Sequence, residues 1–160
     1  MLELNDKTLL NDPPAYMALW LFAQGDERPE VADTVRAVLL RAMQADKQNP
    51  LNVCMGIPSS GQAWRIRCRN YLLGKAALTL PSGTSLTKMA ENMQCRVPKL
   101  ALRIEAAWTI NGELPSSSSD FERLVCAAMR TETNLEIGFE SYKKIIPGQV
   151  MKARNHYPVS

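Results

Sequence analysis

The chain contains a single histidine, His156, and no two cysteines in a C-x-x-C spacing. Zinc sites draw on closely spaced Cys and His ligands, and Ser-His-Asp or Cys-His catalysis needs a well-placed imidazole, so both chemistries lack their parts. The four cysteines, Cys54, Cys68, Cys95 and Cys126, stand far apart in apolar surroundings, which predicts reduced thiols and no disulfide framework. A phosphate-binding GxxxxGK[ST] loop is missing as well. No apolar run near the N-terminus approaches the roughly 20 residues of a membrane span. The longest, Ala15 to Ala23, follows Asp6, Asp12 and two prolines where a signal peptide carries basic residues. These absences lead us to expect a cytoplasmic protein that is no enzyme and holds no metal or cofactor. Glu91 with Glu105, or Asp120 with Glu122, could pair as carboxylates, but charges on exposed helix surfaces explain them more simply.

What is present is an ordinary folding composition, 46% hydrophobic and 22% charged, which is far from the disordered regime. A chain of 160 residues supports one good core, so one compact unit is expected, and apolar residues at helical spacing make it mainly α. Within it the sequence divides into an acidic N-terminal helical pair over 1–55, a basic segment over 56–113, and a linker with a C-terminal helix and tail over 114–160. Asn11-Asp12-Pro13-Pro14 reads as a helix start and Gly25 as the stop. From Glu30 to Lys47, Val31, Val35, Val38, Leu39, Ala42 and Met43 repeat at helical spacing, with Asn49-Pro50 as terminator. Cys54 to Gly61 is expected to be a loop. Residues 64–69 fit a strand or a helix, and continuation to Leu78 favours helix. Ser116 to Ser119 belong to a linker, and Ser119 or Asp120 caps a helix carrying Phe121, Leu124, Val125, Ala128 and Met129. Tyr142 to Ile146 is expected to be a helical turn or a strand that stops at Pro147-Gly148.

Charge is distributed unevenly. Residues 1–50 carry five Lys/Arg against eight Asp/Glu, residues 51–110 carry eight against two, and residues 111–160 carry six of each. A positive middle third is what a polyanion exploits, because every phosphate it neutralises releases counterions. Three of its arginines, Arg65, Arg67 and Arg69, are expected to face solvent and meet phosphates, whereas Trp64 and Trp108 read as core anchors.

Residues 85–108 resemble a helix-turn-helix DNA-binding unit at superfamily level. Ala90 stands where two helices would cross, and Met89, Met93, Cys95, Leu100 and Ile104 would face the core. Gln94 occupies the turn position that usually holds glycine. The resemblance implies that the first helix runs from Leu86 to Met93, that the chain turns at Gln94 to Val97, and that Pro98 begins a recognition helix ended by Gly112. That helix would present Lys99, Leu102, Arg103 and Ala106 to the major groove, with Lys88 nearby and Arg96 in the turn against a phosphate. The expected function is transcription regulation on duplex DNA, with a possible homodimer through the N-terminal helices supplying two half-sites. The alternative is a protein-binding adaptor or inhibitor, for which the eight methionines could supply an adaptable groove.

Overall fold

Apolar residues at 3.6-residue spacing dominate the chain, and the computed structural model, which describes residues 2–81, 84–111, 118–132, 134–135 and 137–154, is correspondingly helical. Among the described residues its elements are a 3-10 turn (Lys7–Leu10) and seven α-helices: α1 (Ala15–Ala23), α2 (Pro29–Ala42), α3 (Leu51–Met55), α4 (Gly61–Leu78), α5 (Leu86–Asn111), α6 (Asp120–Thr131) and α7 (Phe139–Arg154). No strand occurs among the described residues, so the mainly α expectation holds and residues 64–69 are helical. The chain separates into two units, Met1–Cys68 and Arg69–Ser160, with the boundary inside α4.

In the first unit α2 packs on α1 and α3 packs on α2. Met17, Ala18 and Leu21 of α1 and Val31, Val35 and Val38 of α2 are buried. Gly25 ends the α1 region at φ +84°, a conformation glycine adopts without penalty. Neither Asn11 nor Asp12 caps α1; the N-cap is Pro14, which has no side-chain bond to offer. The buried Asp26 carboxylate accepts hydrogen bonds from the Arg28 guanidinium at 2.9 and 2.8 Å ahead of α2, and Pro29 occupies the first turn. α2 stops at Ala42, short of the expected Lys47. Asp46 Oδ1 accepts the backbone N–H groups of Gln48 and Asn49 at 2.8 and 2.6 Å, a local turn that competes with helix. α3 enters the stretch expected to be loop and ends on Gly56 at φ +68°. Trp64 Nε1 donates to the Tyr16 carbonyl at 2.8 Å, tying the start of α4 to α1 and giving this tryptophan an anchoring role.

In the second unit residues 71–77 of α4 are all buried, including Gly74 and Lys75, whose ammonium lies 5.4 Å from the Tyr71 ring centre. α5 packs against α6 and α7. Ser119 caps α6 with a full capping box: its hydroxyl accepts the Glu122 N–H at 3.3 Å, and Glu122 Oε2 accepts the Ser119 N–H at 2.9 Å. Phe121, Leu124, Val125 and Ala128 are buried as their spacing predicts. α7 does not stop at Pro147-Gly148 but continues to Arg154.

The largest departure from the sequence reading is α5. No turn forms at Gln94 to Val97, Arg96 is helical, and the two helices expected to cross at Ala90 are one 26-residue rod. The buried residues Ala90, Met93, Val97, Leu100 and Ile104 explain why. Their intervals of 3, 4, 3 and 4 residues run through Pro98 without a phase break, so a single seam stays continuous only if the helix does. Proline inside a helix costs about 3 kcal/mol, and here its ring projects to solvent while the seam on both sides stays packed. Gln94 offers none of the backbone freedom that a glycine would bring to a turn. Cys95, expected in the core, is exposed, because Val97 takes the inward position instead.

Candidate functional site

A continuous α5 reorganises the basic residues. At about 100° per residue, Lys88, Arg96, Lys99 and Arg103 fall within an arc of about 80°, roughly 120° around the helix from the buried seam. All four are exposed. Glu91 and Glu105, the acidic residues of this helix, lie outside that arc. Along the axis the four cations span about 22 Å at 1.5 Å per residue. Lys88 and Lys99 have no anionic partner among the described residues. Leu102 and Ala106 are exposed on the same helix, Leu102 at 70%.

The two arginines nearer the α6 end are held in place. The Arg96 guanidinium stacks over the Phe121 ring at 4.6 Å from its centre. Arg103 donates through Nη2 to Glu122 Oε1, on the same carboxylate that completes the capping box. Burial works to raise the Glu122 pKa, but the hydrogen bonds from Ser119 and Arg103 outweigh it, so this carboxyl ionises below the usual range and is charged at neutral pH. Arg96, Lys99, Leu100, Arg103, Ser119, Phe121 and Glu122 together line an open cleft of about 360 Å³. Three cations face one carboxylate there, a surplus of two positive charges.

The arginines of α4 do not form one solvent-facing cluster. Arg65 and Arg67 are exposed in the first unit. Arg69 belongs to the second and is half-buried, donating to the Asn134 carbonyl at 2.7 Å and to Asn70 Oδ1 at 2.9 Å. Its expected role as a free phosphate contact is corrected by this packing: burial lowers its pKa while Glu132 and Tyr142 act in the opposite sense. Sequence reasoning placed Lys88, Arg96, Lys99 and Arg103 correctly on the surface, but it missed Phe121 and Glu122 as the residues that orient two of them. The Ser119-x-x-Glu122 spacing carried that signal, since a capping box fixes where the glutamate carboxylate sits.

Among the described residues no cluster of His, Cys, Asp and Glu could hold a metal ion, and no helix is long and apolar enough to cross a membrane. The Trp108 side chain lies outside what is described, and His156, Gly112 and most of the serine-rich linker lie outside the described residues altogether. No protein-family model, curated protein or solved structure matches the chain.

Proposed function

We propose that this protein binds duplex DNA, as a small regulator, by laying the basic side of α5 along the phosphate backbone. The observation that carries the reading is the single arc of Lys88, Arg96, Lys99 and Arg103 on an uninterrupted helix. Its span of about 22 Å corresponds to about six base-pair steps at 3.4 Å each. Phosphate contacts of this kind supply affinity and register, and sequence preference would fall to the exposed Leu102 and Ala106 and to DNA shape. Without a turn in α5, the reading rests on this charged side of the helix and no longer on a helix-turn-helix. Arg65 and Arg67 offer further cations in the first unit.

The test is fluorescence anisotropy with a random-sequence duplex, titrated with salt. Wild-type protein is expected to bind at about 50 mM salt with a steep salt dependence, and Lys88→Ala/Lys99→Ala to weaken binding and flatten the log–log slope by about 2, one unit per lost phosphate contact. No binding at low salt, or an unchanged slope in the variant, refutes the proposal.

A second reading, association of two copies, is favoured by the apolar outer side of α2. Leu39, Leu40 and Met43 are 54%, 60% and 84% exposed, and Leu51 and Val53 of the adjoining α3 are exposed too. Grouped apolar side chains that stay exposed are a common mark of a protein–protein contact. Sedimentation equilibrium is expected to show a dimer that Leu40→Lys converts to monomer; a wild-type monomer at all concentrations would dispose of it.

A further inference from the structure

We infer that the cleft between α5 and α6 receives a phosphate monoester, the terminal phosphate of a nucleic-acid strand, in preference to an internal phosphodiester. In naming the strand end as the source, this rests on the DNA reading above. The preference for a monoester follows from the cleft itself.

Three cations, Arg96, Lys99 and Arg103, and the Glu122 carboxylate line a cleft of about 360 Å³. An internal diester carries one negative charge and leaves half of the surplus uncompensated. A monoester carries about −1.5 to −2 at neutral pH and three acceptor oxygens, which matches the two excess charges. The donors are also preorganised. Arg96 is fixed by Phe121 beneath it at 4.6 Å, and Arg103 uses Nη2 for Glu122 while its other N–H groups have no partner among the described residues. Guanidinium forks restrained in this way lose little entropy on meeting a second oxyanion and can engage it through two parallel bonds. Lys99, unpaired, adds a mobile point charge between them. Glu122 has a distinct part: it holds Arg103 in position and, as a resident anion, sets the surplus at two instead of three.

Two blunt duplexes of one sequence, with 5′-hydroxyl or 5′-phosphate ends, separate the cleft from the rest of the α5 stripe. The phosphorylated duplex is expected to bind about tenfold tighter, the gain from one or two new charge-assisted hydrogen bonds. Arg96→Ala and Lys99→Ala should each abolish that ratio. Lys88→Ala, outside the cleft, should weaken both duplexes equally and leave the ratio intact. Glu122→Gln keeps a side chain that can complete the capping box while deleting the charge, and should widen the ratio. Helical circular dichroism confirms that each variant folds. Equal affinity for the two duplexes, or a ratio that survives Lys99→Ala, overturns the inference while the DNA reading stands. If neither duplex binds, the DNA reading fails and glycerol phosphate decides the cleft by itself. Amide shifts confined to residues 96–103 and 119–122 then sustain a monoester site for a free ligand, and their absence overturns it.

Discussion

A phenol hydroxyl sealed into an apolar interior costs free energy unless something accepts or donates to it. Tyr142 of α7 is fully buried, and its Oη has no hydrogen-bond partner among the described residues. Burial pushes its pKa up to about 12 against the counteracting field of Arg69, so the phenol stays neutral. Tyr142→Phe removes one oxygen from a place where it satisfies nothing. We expect the variant to match or exceed wild type in stability, with the urea midpoint raised by up to about 1–3 kcal/mol equivalent and an unchanged m-value. Tyr142→Ala instead should lose about 3–5 kcal/mol as for other large buried aromatics, through the cavity it leaves. A loss exceeding about 1 kcal/mol in the phenylalanine variant would mean that the hydroxyl is bonded after all. Individual residues were unevenly legible in the sequence. Lys99 and Arg103 were placed outward by the helix-turn-helix resemblance, whereas Arg69 and Cys95 were misplaced, because whether a residue at the margin of a helix face meets water depends on the neighbouring helix that covers it.

Elements were legible wherever local chemistry and long-range packing agree. α6 is the clearest case: Ser119, Glu122 and the apolar positions from Phe121 to Met129 all specify the same helix. α5 shows the opposite situation. Pro98 and the turn-like motif argued for two helices, but the seam from Ala90 to Ile104 extends across Pro98 and prevailed. A motif match registers residue types at fixed offsets, while a continuous helix needs only an unbroken phase. The phase was present in the sequence, at Ala90, Met93, Val97, Leu100 and Ile104. α7 repeats the lesson at Pro147-Gly148, a pair that reads as a stop and is crossed by helix. α3 was missed for a different reason: a helix of five residues has too few positions to display a period. The basic arc of α5 was hidden as well, since it exists only when residues 88 and 103 belong to one helix.

At the scale of the whole chain, helical periodicity was enough to specify an α protein, but not its division into two units, Met1–Cys68 and Arg69–Ser160. That boundary falls inside a helix and leaves no proline- or glycine-rich trace. Both units bury groups that must stay neutral. Burial pushes Cys68 from an ordinary value of 9.0 up to about 12, against a lowering hydrogen bond involving Trp64, and Tyr142 from 10.0 to about 12; Cys126 and Tyr16 shift upward too. Between pH 9 and 12 the unfolded chain releases these protons while the native chain retains them. The unfolded state then binds fewer protons, and stability falls as pH rises through that window. On the acid side, burial tends to raise the Asp26 pKa, but the hydrogen bonds from Arg28 prevail and lower it below 3.8, while Glu122 stands below 4.5. Their contribution is complete above those ordinary values and is lost as pH drops through the lowered ones. The urea midpoint is therefore expected to be flat from about pH 5 to 9 and to decline on both sides, each alkaline group adding a slope of at most about 1.4 kcal/mol per pH unit. Tyr142→Phe should remove one such group's share of the slope between pH 10 and 12 and none of the loss in acid. A midpoint constant from pH 7 to 11.5 would show that these thiol and phenol groups reach water in the native protein, and would contradict their burial in both units.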